Sequence, residues 1–223
     1  MITLYHCVSA RSLRALWMLE DIGLPYTLQM LPFPPRVLAR DYLALNPLGT
    51  VPLLIDGDAR LTESAAICQY LAERYAPQRL HVAPDDPARA AYLNWLHISD
   101  ATLTFPQTLV LRYGRLESAA RRQPQVVADY ARWFLGRLRA VDAALAQQPF
   151  LCGERFTAAD VAVGYALLLA QYLELDGQFT PAVQDYWKRL RARDALQRAL
   201  AAERDAALAQ GVDPRPAPES IPG

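Results

Sequence analysis

The chain has 223 residues, 23 Lys+Arg against 23 Asp+Glu, 52% hydrophobic residues and three cysteines. That apolar content supports a buried core and excludes general disorder. A net charge of zero removes the footprint of a nucleic-acid binder, which must neutralise many phosphates. Cys7, Cys68 and Cys152 are too few and too far apart for a disulfide framework, and a reducing, cytoplasmic setting is expected.

In chain order, Ile2 to His6 is short, β-branched and aromatic, as in a central strand. Arg11 to Ile22 carries Leu13, Leu16, Trp17 and Leu19 at helical spacing and stops at Gly23, with Pro25 beyond. Tyr26 to Leu31 reads as a second strand, which completes a βαβ unit. After Pro32, Pro34 and Pro35 comes a short helix over 37–44. Two further strands, Val51 to Asp58 and Arg60 to Thr62, flank the turn signal Asp56-Gly57. Proline in a sheet is confined to edges, first residues or bulges, so Val51-Pro52 begins a strand, and a cis bond would fit there. Ser64 to Tyr75 is a helix stopped by Pro77. The order βαβαββα over residues 1–78 is that of a thioredoxin-like domain.

Beyond Asp85-Asp86-Pro87 the spacing is helical throughout, with helices expected over 87–113, 124–147, 158–173, 181–193 and 195–209. Pro106 is expected to kink or break the first, because it lacks an N–H and crowds the preceding turn. Thr157-Ala-Ala-Asp160 is a capping box worth about 1 kcal/mol. It opens the most apolar stretch, Val161 to Ala170, which is about half the ~20 residues a membrane span needs. The expected architecture is α/β plus all-α: an all-helical domain over 87–210 after the first, then a Pro-rich tail over 211–223.

Four segments carry a family resemblance. Ser9-Ala10-Arg11-Ser12-Leu13-Arg14 with Leu16-Trp17-Met18-Leu19-Glu20 resembles the first loop and helix of bacterial cytosolic glutathione S-transferases. Asn46-Pro47-Leu48-Gly49-Thr50-Val51-Pro52-Leu53-Leu54 is similar to their N-P-x-G-x-V-P-x-L segment, and Leu61-Thr62-Glu63-Ser64-Ala65-Ala66-Ile67 to their L-x-E-S-x-A-I segment. Phe150 to Asp160 resembles their capped core helix. The resemblance implies glutathione as co-substrate, no cofactor, no metal, a small apolar electrophile, no nucleic-acid or membrane partner, a role in detoxification, and a homodimer through the helices at Ser64 and near Pro87.

Glutathione offers two carboxylates, an amine and a thiol that is mostly protonated at neutral pH. Glu63 and Ser64, at a helix start, suit the γ-glutamyl carboxylate and amine. Val51, with Pro52, can pair the cysteinyl backbone like an added strand. Thr50, where the family often has Lys or Gln, and Arg36 or Arg40 are candidates for the glycyl carboxylate. Thiolate needs a hydroxyl or N–H donor and a helix N-terminus. The family's S-R-S triplet would put its first serine at position 10, which here is Ala10. Ser9 is therefore the first candidate, with Ser12, Cys7 and the N–H groups around Ala10 and Arg11 as alternatives. Phe105, Leu109 and Tyr113, with Tyr165, are candidates for the electrophile pocket, while His97 and Asp100 are as readily exposed or capping residues. A Cys7 thiol-transferase and a non-catalytic binding module of the same fold stay open as rivals. No H-x-x-x-H, C-x-x-C or phosphate loop supports a metal or nucleotide.

Overall fold

A computed structural model describes residues 1–216. Its four-stranded sheet has the order β2-β1-β3-β4, with β1 Ile2–His6, β2 Tyr26–Met30, β3 Leu53–Asp56 and β4 Ala59–Leu61. β1 runs parallel to β2 (Leu4 opposite Leu28) and antiparallel to β3 (Leu4 opposite Leu54). The crossover between β1 and β2 is α1, Leu13–Ile22, which ends on left-handed Gly23. Between β2 and β3 lie α2, Pro35–Leu38, and a 3-10 turn, Arg40–Ala44. The hairpin turn is displaced by one residue from the expected dipeptide. Asp56 still pairs, opposite Ala59, and Gly57 and Asp58 form the turn with Gly57 at φ 60°. α3, Ser64–Tyr75, closes this α/β part.

The remainder is helical among the described residues. α4, Arg89–His97, runs into a π-helical stretch, Ile98–Thr104, then α5, Phe105–Leu111, and a second π stretch, Arg112–Leu116. The helix therefore passes Pro106 instead of ending there. The wider π turn, closed by Phe105 N–H on Asp100 O, accommodates the missing N–H at residue 106. α6 is Pro124–Leu145, α7 Ala158–Tyr172, α8 Pro181–Arg191 and α9 Asp194–Ala209. α7 opens on the capping box, Asp160 Oδ2 accepting Thr157 N–H at 2.8 Å. Residues 217–223 of the expected tail lie outside the described residues. Before them, Val212 N–H bonds Ala207 O and its side chain packs with Val8 and Met30.

One apolar core spans both parts. α1 is buried from Leu13 to Leu19, and Trp17 packs against Phe156 and against α7, where a Cβ on Gly164 would meet Trp17 Cζ3 at 2.9 Å. The sheet and the helices are thus held in register by side chains, and the loops at their junction are fixed from both sides. A cavity lies at that junction.

Candidate functional site

A cavity of about 640 Å³ lies where the loop after β1, the segment before β3, the start of α3 and the α5–α7 face meet. Ser9, Ala10, Arg11, Arg36, Thr50, Val51 and Glu63 line one side; Thr108, Leu111, Arg112, Leu116, Glu117, Tyr165 and Leu169 line the other. Its size is that of an ordinary small-molecule site, about 300–1,000 Å³.

The first wall is the loop Cys7–Ser12. Ser9 holds a left-handed backbone at φ 53° and is 1% exposed. Its hydroxyl donates to Glu203 Oε1 at 2.9 Å and lies 3.0 Å from the Tyr172 hydroxyl. Ser12 stands at the N-cap of α1 without capping it. Its hydroxyl instead meets His6 Nδ1 at 2.7 Å inside the fold. Cys7, a candidate nucleophile from sequence, is fully buried among Tyr42, Val51 and Leu53 and does not line the cavity. Burial pushes its thiol well above the ordinary cysteine value, the opposite of what a reactive thiolate needs. Cys68 and Cys152 are buried too, each pushed up to about 12 by desolvation.

The second wall is the segment before β3. Val51-Pro52 is cis, as is Phe33-Pro34. Among the described residues neither the N–H nor the C=O of Val51 is paired within the fold. The chain is locked just upstream, where Tyr42 Oη and Asn46 Nδ2 both donate to Thr50 O at 2.8 Å. Gly49, at φ 59°, allows this close approach, since a Cβ there would meet Arg36 Cβ at 2.6 Å. Thr50 and Arg36 are exposed on the rim; Arg40 is exposed but not part of the lining.

The third wall is the start of α3. Glu63 is exposed at its N-cap position, and Ser64, the first helical residue, is buried. The Ser64 hydroxyl accepts from Arg14 Nη1 at 2.8 Å and keeps its own proton available for a carboxylate. Arg14 is wholly buried. It also donates to Ala162 O, Asp100 Oδ1, Ser99 O and Thr104 Oγ1, with the Tyr165 ring 4.9 Å from its guanidinium. Asp100 accepts from Arg11 as well, at 3.1 Å. Desolvation raises its carboxyl, but Arg14 and Arg11 outweigh that and hold it below the usual carboxylate range.

On the helical side, Tyr165 lines the cavity as expected, but Phe105, Leu109 and Tyr113 do not. Phe105 is 51% exposed. The face that reaches the cavity is Thr108, Leu111, Arg112 and Leu116, next to the aromatic one and set by how the helix docks. His97 is exposed and outside the lining.

Sequence reasoning missed Arg14, His6, Tyr172 and Glu203. Arg14 had a readable signal: a lone cation inside the otherwise apolar run Leu13 to Leu19. For Glu203 the signal is weaker, an acid on the Ala199–Ala207 face of α9. Among the described residues no group of three or more His, Cys, Asp or Glu is placed to hold a metal ion. No helix among them is long and apolar enough to cross a membrane.

The chain is similar to known proteins over most of its length. Residues 8–74 match the model of the glutathione S-transferase N-terminal domain, and residues 117–202 that of the C-terminal domain. The chain is 30% identical over 203 residues to the glutathione S-transferase GstA of Escherichia coli O157:H7, covering 90% of this chain and 98% of that protein. It is 33% identical over 174 residues to glutathione S-transferase 3 of Zea mays, covering 73% and 75%. Among solved structures, a theta class glutathione S-transferase from Xanthomonas axonopodis pv. citri with glutathione bound superposes with TM-score 0.74 at 32% identity, covering 89% and 96%. A glutathione transferase from Methylococcus capsulatus gives TM-score 0.80 at 28% identity, covering 91% and 98%.

Proposed function

The chain belongs to the glutathione S-transferase family, and on that premise we propose how its residues bind glutathione and use it. Residues 1–78 hold the tripeptide and residues 87–210 complete the site for the second substrate. Glu63 and Ser64 take the γ-glutamyl end. The Ser64 hydroxyl and the unpaired N–H groups at the start of α3 face its carboxylate, and Glu63 faces its amine. Val51 and Pro52 present the edge against which the cysteinyl backbone lies, with Val51 N–H and C=O as its partners. Arg36 and Thr50 on the rim meet the glycyl carboxylate. The thiol then falls against the loop from Ser9 to Arg11 at the positive end of α1, where thiolate is favoured.

The electrophile occupies the α5–α7 side, where Leu111, Leu116 and Leu169 supply apolar surface beside Tyr165. The reaction is nucleophilic substitution or conjugate addition by the bound thiolate. Its acceleration comes from thiolate formation and from proximity. No further cofactor enters this scheme. We also assign the protein to the cytoplasm, to detoxification and to a homodimer that pairs α3 and α4 with their counterparts.

The observation that carries this reading is the convergence of three separate sequence segments on one cavity: the Ser9–Arg11 loop, Val51, and Glu63 with Ser64 behind it. Calorimetric titration with glutathione, together with conjugation of a model aryl halide, tests it. Binding that weakens at least tenfold in Glu63→Gln, and conjugation well above the solution rate, are expected. A wild-type protein that does neither refutes it and leaves the non-catalytic module. The buried, unactivated Cys7 thiol argues against the thiol-transferase alternative.

A further inference from the structure

The loop between β1 and α1 is held by a buried polar cluster that originates in the last helix. Glu203 on α9 is 3% exposed. Its Oε2 accepts Ser9 N–H at 2.7 Å and meets His6 Nε2 at 2.8 Å, and its Oε1 accepts the Ser9 hydroxyl at 2.9 Å. His6 is wholly buried, and its other ring nitrogen meets Ser12 Oγ, which also accepts Cys7 N–H at 3.5 Å. The loop is thus gripped at Ser9 directly and at Ser12 through His6. Ser9 needs such a grip, because a left-handed backbone is disfavoured for a residue with a side chain. A buried carboxylate persists only when its lone pairs are used, and here three bonds use them. Nothing in α9 itself calls for an acid at this point: the buried neighbours on that face, Ala199 and Ala207, are apolar.

We propose that Glu203 is a positioning residue for thiol activation: it fixes Ser9 in the left-handed conformation and so sets the loop that receives the glutathione thiol. With the Ser9 proton directed to Glu203, the donor left at the cavity is the Arg11 N–H, which is unpaired within the fold among the described residues and lies just before α1. Glu203 does not line the cavity and acts only through Ser9 and, by way of His6, through Ser12. The titratable groups around it are His6 and Tyr172, the latter 3.0 Å from the Ser9 hydroxyl.

The inference rests on the glutathione reading above, and one experiment separates the two. The full-length protein is saturated with glutathione, and the thiolate absorbance is titrated against pH in wild type, Glu203→Gln and Ser9→Ala, alongside the glutathione Kd and kcat/KM. Glutamine has the same shape but one acceptor oxygen and no charge, so the three bonds cannot all keep their direction and charge-assisted strength. In Glu203→Gln the bound-thiol pKa is expected to rise by about one unit, with kcat/KM near neutral pH down about tenfold. The Kd should change less than about twofold, because the γ-glutamyl anchor is untouched. Ser9→Ala keeps its N–H bond to Glu203 and should shift the thiol pKa less than Glu203→Gln does.

A residue that merely packs α9 would lower Tm, and affinity with it, while leaving the thiol pKa in place; that pattern overturns the proposal. A larger shift in Ser9→Ala than in Glu203→Gln also overturns it, by moving the role to the hydroxyl. If Glu203→Gln does not fold, Glu203→Asp tests the same linkage, since it keeps the charge and draws the carboxylate back from Ser9 by one methylene: a raised thiol pKa at unchanged Kd supports it, and an unmoved pKa rejects it. A wild-type complex whose thiol keeps its solution pKa overturns this inference while leaving glutathione binding in place; a wild-type protein that binds no glutathione removes the reading on which the inference rests.

Discussion

Replacing Arg14 by methionine tests the idea that a buried guanidinium ties the γ-glutamyl anchor to the helical domain. Methionine keeps much of the volume and leaves no donor. The wild-type guanidinium donates to five groups: Ala162 O, Ser64 Oγ, Asp100 Oδ1, Ser99 O and Thr104 Oγ1. Removing one partner of a buried ion pair costs about 3–5 kcal/mol. The lower end applies here, because Asp100 keeps Arg11 and Ser99 O keeps the Thr104 hydroxyl at 2.7 Å. The expected loss is about 3 kcal/mol, which for a chain of this length lowers Tm by roughly 6–12 °C. Thermal and urea unfolding measure it. The same substitution frees the Ser64 hydroxyl to rotate, so glutathione affinity by calorimetry should fall by about tenfold, the equivalent of one lost charge-assisted hydrogen bond. A variant within about 0.5 kcal/mol of wild type in stability would show that the five bonds add nothing over apolar packing, and would refute the reasoning.

Further tests follow from other contacts. Gly164→Ala places a methyl group 2.9–3.1 Å from Trp17 and Leu190, and should cost about 1–3 kcal/mol in urea unfolding; a neutral result would refute the close α1–α7 contact. Cys7→Ser should keep its conjugating activity, since the thiol lies outside the cavity; loss of activity with the fold intact would restore the thiol-transferase reading. The Asp100 carboxyl is lower in the folded chain than the 3.8 of the free group, so its ion pairs contribute fully above that value and are lost as pH falls through the folded one. The stability gap between wild type and Asp100→Asn should accordingly be constant above about pH 5 and shrink below about pH 4. A gap that instead widened in acid would refute the sign.

The α/β order was readable because each of its elements carries local signals. Gly23 ends α1 with φ 79°, Pro52 precedes β3 directly, and the βαβ crossover leaves β1 and β2 parallel. Val51, Glu63 and Arg36 meet at one cavity, and each stands beside a local signal in the chain: Pro52, the start of α3, and the Pro34-Pro35 pair. On the helical side Phe105, Leu109 and Tyr113 lie off the cavity, which takes Thr108, Leu111, Arg112 and Leu116 instead; nothing local in the chain marks which face of this helix meets the α/β part. The hairpin slip at Asp56 is the same kind of error on a smaller scale, since D-G marks a turn without fixing which residue still pairs.

The residues that sequence reasoning missed share a different property. Arg14 and Glu203 do their work through partners 50 and 194 positions away, so no local window contains both halves of either interaction. What a sequence does show at such places is a conflict: a charge where the helical period demands an apolar residue. Burying that charge costs free energy unless several partners converge on it, and convergence is most easily arranged where domains meet. Charges on buried helix faces are therefore places to look for the supports of a site, while hydroxyls on the nearby loop are only its surface. In this chain that logic moves attention from Ser9, whose hydroxyl is already bonded to a carboxylate, to the acid that holds it. It also ties the geometry of the first loop to the packing of the last helix. Weakening α9 at a site remote from the cavity, for example by Ala199→Gly, should then reduce conjugation before it reduces glutathione binding.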